Sequence, residues 1–144
     1  MTKKYKVLIT GGSRGIGKSV TEEFNSKNYE VVAPARDNFD LSKTDSIANF
    51  FSQPANNDFD ILINNAGINI PQKFSEIDNN TLKKIIQINL ETPFLLTKYI
   101  INHMKQNKWG RILNISSAYS FLAREGRSAY SSSKAGLDAL TRSL

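Results

Sequence analysis

Cysteine is absent from the 144 residues, and histidine occurs once, at position 103. Without thiols there is no disulfide framework and no thiolate metal site, and a lone His103 without ligand-type partners at metal spacing leaves no imidazole cluster. We therefore expect no bound metal. The lack of cysteine also fits a reducing compartment, and the chain is expected to be cytoplasmic. Long hydrophobic runs are missing as well. The amino-terminal Met1-Thr2-Lys3-Lys4-Tyr5-Lys6 is followed by only three apolar residues before Thr10. That is too few for a signal-peptide core, and no stretch approaches the roughly 20 residues of a membrane span. Eight glycines and four prolines are no enrichment, and no linker, repeat or low-complexity segment divides the chain, so one domain over 1–144 is expected.

Hydrophobic residues at 40% and charged residues at 22% suit a soluble globular chain. The formal charge of +6 raises the question of nucleic acid. The basic residues are scattered singly or in pairs, however, with no dense block and no stacking-aromatic motif, so no nucleic-acid or membrane partner is expected. The excess reads as a lysine-rich surface that helps attract anionic ligands.

The chain is organised around Lys6-Val7-Leu8-Ile9-Thr10-Gly11-Gly12-Ser13-Arg14-Gly15-Ile16-Gly17. A short β-branched run enters a glycine-rich turn, and a helical pattern (Ile16, Val20, Phe24) follows at once. Strand, tight turn and helix N-terminus make a phosphate cradle. The spacing is G-x3-G-x-G, not the commoner G-x-G-x-x-G.

Further along, Val31-Val32-Ala33 reads as a second strand, Phe39-Asp40-Leu41 as a brief third, and Ile61-Leu62-Ile63 as a buried parallel fourth. Arg111-Ile112-Leu113-Asn114-Ile115 reads as a fifth. Ser42 or Thr44 caps a short helix carrying Ile47, Phe50 and Phe51, and Asp78 or Asn79 caps a long helix over 79–108. Pro93 is expected to bend that helix. Apolar positions on more than one of its faces predict packing against the sheet and against another subunit. A last helix begins at Ser128. The alternation implies an α/β, three-layer, doubly wound Rossmann-type parallel sheet of strand order 3-2-1-4-5, with ligand at the carboxyl ends of the strands.

Tyr130 and Lys134 are four residues apart on the last helix, hence on one face. A nearby ammonium favours the phenolate and brings a tyrosine pKa down from about 10 towards the range useful for proton transfer. Ser117, thirteen residues before Tyr130, follows the fifth strand, where its hydroxyl is able to reach a substrate carbonyl. Singly, each has an ordinary reading as a helix surface pair or a turn residue.

Taken together, Thr10-Gly-Gly-Ser-Arg-Gly-Ile-Gly17, Asn64-Asn-Ala-Gly67, Asn89, Ser117 and Tyr130-Ser-Ser-Ser-Lys134 fall in the order and approximate spacing of the short-chain dehydrogenase/reductase family. The chain resembles its ketoreductases most, the 3-oxoacyl-carrier-protein reductase type included. The resemblance implies an oxidoreductase that moves a hydride between a nicotinamide cofactor and a carbonyl or alcohol, the substrate being a small molecule or an acyl thioester. Tyr130 would be the acid/base, Lys134 would hold the nicotinamide ribose and depress the tyrosine pKa, Ser117 would orient the carbonyl, and Asn89 would anchor a proton-relay water. Gly11, Ser13, Arg14, Gly15, Ile16 and Gly17 would cradle the pyrophosphate, Asp40 and Leu41 would line the adenine pocket, and Asn65, Ala66 and Gly67 would flank the adenosine. The family also pairs its long helix and catalytic helix with their copies, which implies a homo-oligomer.

NAD-users of this fold place a carboxylate at the end of the second strand, whereas an arginine accommodates the 2′-phosphate of NADP. Here Ala35 and Arg36 stand at that place, with Arg14 in the glycine loop, so NADP is expected over NAD; a shift of one residue would bring Asp37 to the ribose instead. The sequence departs from the family in stopping inside the catalytic helix, before the family's last strands, which leaves the fifth strand as a sheet edge. A catalytically weak nucleotide-binding or subunit-interaction module is the alternative reading. His103 is expected on a helix surface, Trp109 at a helix end, Ser131 to Ser133 as small-residue packing, and Arg124 and Arg127 in a solvated loop or facing an anionic substrate.

Overall fold

In the computed structural model, which describes residues 4–122 and 124–144, four strands form one parallel sheet. They are β1 (Lys6–Ile9), β2 (Glu30–Val32), β3 (Ile61–Asn64) and β4 (Arg111–Asn114), in the order β2-β1-β3-β4. The amino-terminal residues 1–3 of the signal-peptide reading lie outside the described residues. Five α-helices accompany the sheet: α1 (Gly15–Ser26), α2 (Thr44–Ser52), α3 (Asn79–Ile86), α4 (Thr92–Gln106) and α5 (Ser128–Ser143). The doubly wound parallel architecture is as expected. Among the described residues no helix is long and apolar enough to cross a membrane.

The predicted strand at Phe39-Asp40-Leu41 does not form, and deleting it from the expected order leaves the order observed. Its amides are spent locally. Phe39 N–H bonds the Ala35 and Arg36 carbonyls, and Asp40 N–H bonds the Ser46 hydroxyl. Phe39 instead inserts its ring into the core, its centroid 4.3 Å from that of Phe50.

The alternation of the strands divides the core. Leu8, Leu62 and Ile112 lie in one register row and pack with Ile47 and Phe51 of α2 and Leu96, Ile100 and Met104 of α4. Val7, Ile9, Ile61 and Ile63 face the other way, towards Val20 and Phe24 of α1 and the stacked rings of Tyr5 and Trp109. β4 is an edge strand, and its Leu113 is 51% exposed.

The long helix is not α-helical throughout. Gln87–Glu91 forms a π-turn between α3 and α4, with Thr92 N–H reaching back to the Gln87 carbonyl. Pro93 has no N–H to give to Asn89, so the expected bend takes the form of this wider turn. Asp78 caps the helix, its Oδ1 accepting from Asn80 and Thr81 N–H. Neither Ser42 nor Thr44 caps α2; the preceding Lys43 makes no side-chain cap, and Ser42 turns back to bond Asp40. His103 lies half-buried on α4, its side chain still 25% exposed and its Nε2 3.4 Å from the buried Asp60 carboxylate.

The turn after β1 is fastened by Thr10, which is buried. Its Oγ1 accepts from the N–H groups of Asn65 (3.1 Å) and Ala66 (3.0 Å). Asn65 N–H also bonds the Ile63 carbonyl (3.1 Å), so removing that acceptor strands the Ala66 amide, at about 1–3 kcal/mol. Chemical denaturation of Thr10→Val should therefore show a loss of roughly 2 kcal/mol, while Thr10→Ser keeps most of the stability. Equal stability of the valine variant and the parent would refute this role.

Candidate functional site

The carboxyl ends of β1 and β3 open into a cleft of about 700 Å³. Gly11, Ser13, Arg14, Gly15, Ile16 and Gly17 line it from the turn, Arg36, Asp40 and Leu41 from beyond β2, and Asn65, Ala66 and Gly67 from beyond β3. All twelve cofactor candidates outside α5 thus share one cavity. Its floor explains the glycines. Gly11 has φ +68°, and a Cβ at Gly17 would overlap the Gly11 carbonyl oxygen. Only glycine at 17 lets the first turn of α1 close on the strand end, its N–H groups facing the cleft. Asn65 tightens the same corner, its Nδ2 donating to the carbonyls of Thr10 (3.0 Å) and Gly11 (3.1 Å).

Arg14 and Arg36 rim this cleft with Ala35, whereas Asp37 does not line it. Asp40 does, but its carboxylate already accepts from the Ser42 hydroxyl (2.7 Å) and N–H (3.0 Å). Those bonds, above all the hydroxyl, hold its pKa below the usual carboxylate range, and Arg36 and Lys43 add to the effect.

The catalytic candidates gather at the adjoining end of α5. Asn89 is fully buried in the π-turn. Its Oδ1 accepts from Ile68 N–H (2.9 Å), and its Nδ2 donates to the Ile68 carbonyl (2.9 Å) and to Ser133 Oγ (3.0 Å). Ser133 in turn donates to the Tyr130 carbonyl (2.7 Å). Lys134 is buried beside it and donates from Nζ to the Ile115 carbonyl (2.6 Å). Its Nζ lies 6.0 Å from the centre of the Tyr130 ring, and the Cβ position of Gly67, on the cleft wall, is 3.6 Å from it. Burial pushes the Lys134 pKa down, against a smaller opposing pull from the Asp138 charge. Lys134 therefore joins the cleft to Tyr130.

Ser117 and Ser116 are used differently. Ser117 Oγ accepts from Tyr119 N–H (3.2 Å), capping the short 3₁₀ turn Ala118–Ser120. This leaves its hydroxyl proton free to donate. Ser116 is directed at α5, where its hydroxyl and that of Ser120 lower the Asp138 pKa. Ser133 and Thr10 had no positioning role in the sequence reading. Their short polar side chains beside a tyrosine and a glycine turn gave no sign of which carbonyl or amide each would meet.

The short chain dehydrogenase family model matches residues 37–144. The 3-oxoacyl-[acyl-carrier-protein] reductase FabG of Aquifex aeolicus is 37% identical over 96% of this chain, which spans 56% of that protein's length, little more than half. A 4-hydroxyisoleucine dehydrogenase complexed with NADH superposes with TM-score 0.91 at 31% identity, over 97% of this chain and 67% of that one. A metagenomic short-chain oxidoreductase in complex with NADP superposes with TM-score 0.81 at 28% identity, over 96% of this chain and 74% of the other. On these matches the chain belongs to the short-chain dehydrogenase family.

Proposed function

We propose that this chain, as a single dinucleotide-binding domain over 1–144, carries the cofactor cradle and proton-transfer residues of an NADP-dependent carbonyl reductase or alcohol dehydrogenase. The observation that carries this reading is the continuity of the cleft with Lys134 and Tyr130 through Gly67. The cradle fits a dinucleotide. Gly11 and Gly17 leave no side chain between the backbone and a pyrophosphate, and the helix N-terminus supplies donors and positive potential. When bound, the nicotinamide supplies or accepts the hydride.

The chain's own residues do the rest. Ser117, its oxygen already occupied by Tyr119 N–H, donates its proton to the substrate oxygen. Tyr130 gives a proton to that same oxygen in reduction and takes it back in oxidation. Lys134 keeps donors beyond the one bound to Ile115 for the ribose hydroxyls, and its lowered pKa eases proton exchange with its neighbours. Asn89, both of its amide protons and one Oδ1 lone pair engaged, fixes Ile68 and Ser133 around them and would anchor a relay water through its remaining acceptor. Arg14 and Arg36 favour NADPH, since two guanidiniums suit a phosphate. NADH is the weaker ligand in this reading, although the 4-hydroxyisoleucine dehydrogenase neighbour holds it. By likeness to the Aquifex reductase, the substrate is a small ketone or a 3-oxoacyl thioester. Exposed Phe94 and Tyr99 on α4 support a homo-oligomer in the cytoplasm built through α4 and α5.

A second reading is a nucleotide-binding or subunit-interaction module with little turnover. NADPH oxidation monitored with simple ketones and 3-oxoacyl thioesters separates the two. A thermal shift with NADPH but no turnover of any carbonyl supports the module. In the enzyme, Tyr130→Phe should lower kcat about 100-fold or more while the cofactor-induced shift in Tm persists; unchanged turnover would remove Tyr130 from the chemistry. Arg36→Ala should raise the Kd for NADPH about tenfold, the worth of one charge-assisted hydrogen bond. Calorimetric titration should show little change for NADH, and an equal loss for both nucleotides would count against 2′-phosphate recognition.

A further inference from the structure

Arg124 and Arg127 lie in the segment between Ser117 and Tyr130, and both are organised around one ring. Arg124 Nη1 donates to the Tyr119 hydroxyl (2.6 Å), and the guanidinium carbons of both arginines lie 5.9 Å from the Tyr119 ring centre. The ring itself is anchored, because Tyr119 N–H bonds Ser117 Oγ. Arg127 occupies the N-cap position of α5, three residues before Tyr130. The turn between the arginines is tied to the opposite loop by Gln72 N–H, which donates to the Gly126 carbonyl (3.1 Å).

Among the described residues no carboxylate forms an ion pair with either arginine, and neighbouring Glu125 does not. Two cations held around one ring repel each other, and cation–π contact offsets only part of that repulsion. An anion received between them removes the repulsion and satisfies two planar donor forks.

We propose that Arg124 and Arg127 are specificity-determining residues that select carbonyl substrates bearing a carboxylate, 2-oxo or 3-oxo acids in preference to neutral ketones. This rests on the reading of Ser117 and Tyr130 as the residues that hold the reacting oxygen. Tyr119, which both arginines contact, bonds Ser117 Oγ through its N–H, and Arg127 opens the helix that carries Tyr130, so the pair borders both residues.

Binding separates this inference from the activity. Calorimetric titrations of the chain with acetoacetate and with its methyl ester, in saturating NADP⁺, involve no turnover because both partners are oxidised. The acid should bind at least tenfold more tightly than the ester. In the double variant Arg124→Gln/Arg127→Gln that ratio should fall below twofold, and Tyr119→Phe, which frees Arg124, should lower it part of the way. Should the glutamine variant not fold, Arg124→Lys/Arg127→Lys keeps the charge without the planar fork and is expected to retain a reduced preference. Equal binding of acid and ester, no binding of either, or a preference that survives in the folded double glutamine variant overturns the proposal. An acid preference without NADPH-dependent reduction of either ligand leaves the pair standing and refutes the oxidoreductase reading. Reduction of both with no preference refutes the pair alone.

Discussion

The carboxamide of Asn89 is the one group on which the end of the molecule carrying Tyr130 and Lys134 depends. It bonds the backbone of the loop after β3, at Ile68, and the hydroxyl of Ser133 on α5, while itself belonging to the long helix. Three elements distant in sequence are thereby fixed by one side chain. Only an amide has the donors and the acceptor this demands: a carboxylate lacks the donors, and an aliphatic side chain would leave the Ile68 amide and carbonyl buried without partners. The π-turn is part of the same arrangement. A regular α-helix would carry residue 89 in register with its neighbours, whereas the wider turn ahead of Pro93 places its side chain fully out of solvent.

Thr10 does for the cofactor cleft what Asn89 does for the catalytic end. One hydroxyl accepts from two consecutive amides, and Asn65 returns the favour to the carbonyls of Thr10 and Gly11. The cleft and the catalytic helix meet at Gly67, which sits between the loop held by Thr10 and the ammonium of Lys134. A Cβ at Gly67 would lie 3.4 Å from Asn89 Oδ1 and 3.6 Å from Lys134 Nζ, so the two halves meet there at van der Waals distance. Polar groups shared between elements, each with its partners satisfied, specify one arrangement more sharply than apolar packing does.

Much of this was legible because the relevant signals are local. The apolar runs at 7–9 and 61–63 are strands buried on both faces, and the glycine turn and the Tyr130–Lys134 spacing are readable without knowing what they touch. Phe39-Asp40-Leu41 misled because apolar, polar, apolar is also the pattern of a turn that buries a single ring. Pro93 announced a break in the long helix but could not announce its register. The roles of Ser133 and Thr10, and the pairing of His103 with Asp60, were hidden because each depends on a partner far along the chain, Asn89 for Ser133, Asn65 and Ala66 for Thr10, and Asp60 for His103. The candidate roles came from the family resemblance; spacing alone made the residues neighbours without making them chemistry.

Charge is distributed along the strand direction in a way that the net value of +6 does not reveal. At the amino ends of the strands the acidic groups are taken up: Lys6 faces Asp58 and Glu30, and Asp60 receives Lys6 N–H beside His103. At the carboxyl ends, Arg14, Arg124, Arg127 and Lys134 have no carboxylate in ion-pair contact among the described residues, and Arg36 meets Asp40 only at 3.9 Å. Carboxylates at one end of the sheet therefore neutralise their share of the lysines, and the uncompensated cations remain where the strands open and the N-terminus of α1 adds its own positive potential. A dinucleotide phosphate and an anionic substrate would both be drawn to that edge. The sheet thus separates an electrostatically closed floor from an open, cationic rim, and the orientation of parallel strands places the candidate cofactor residues on the rim.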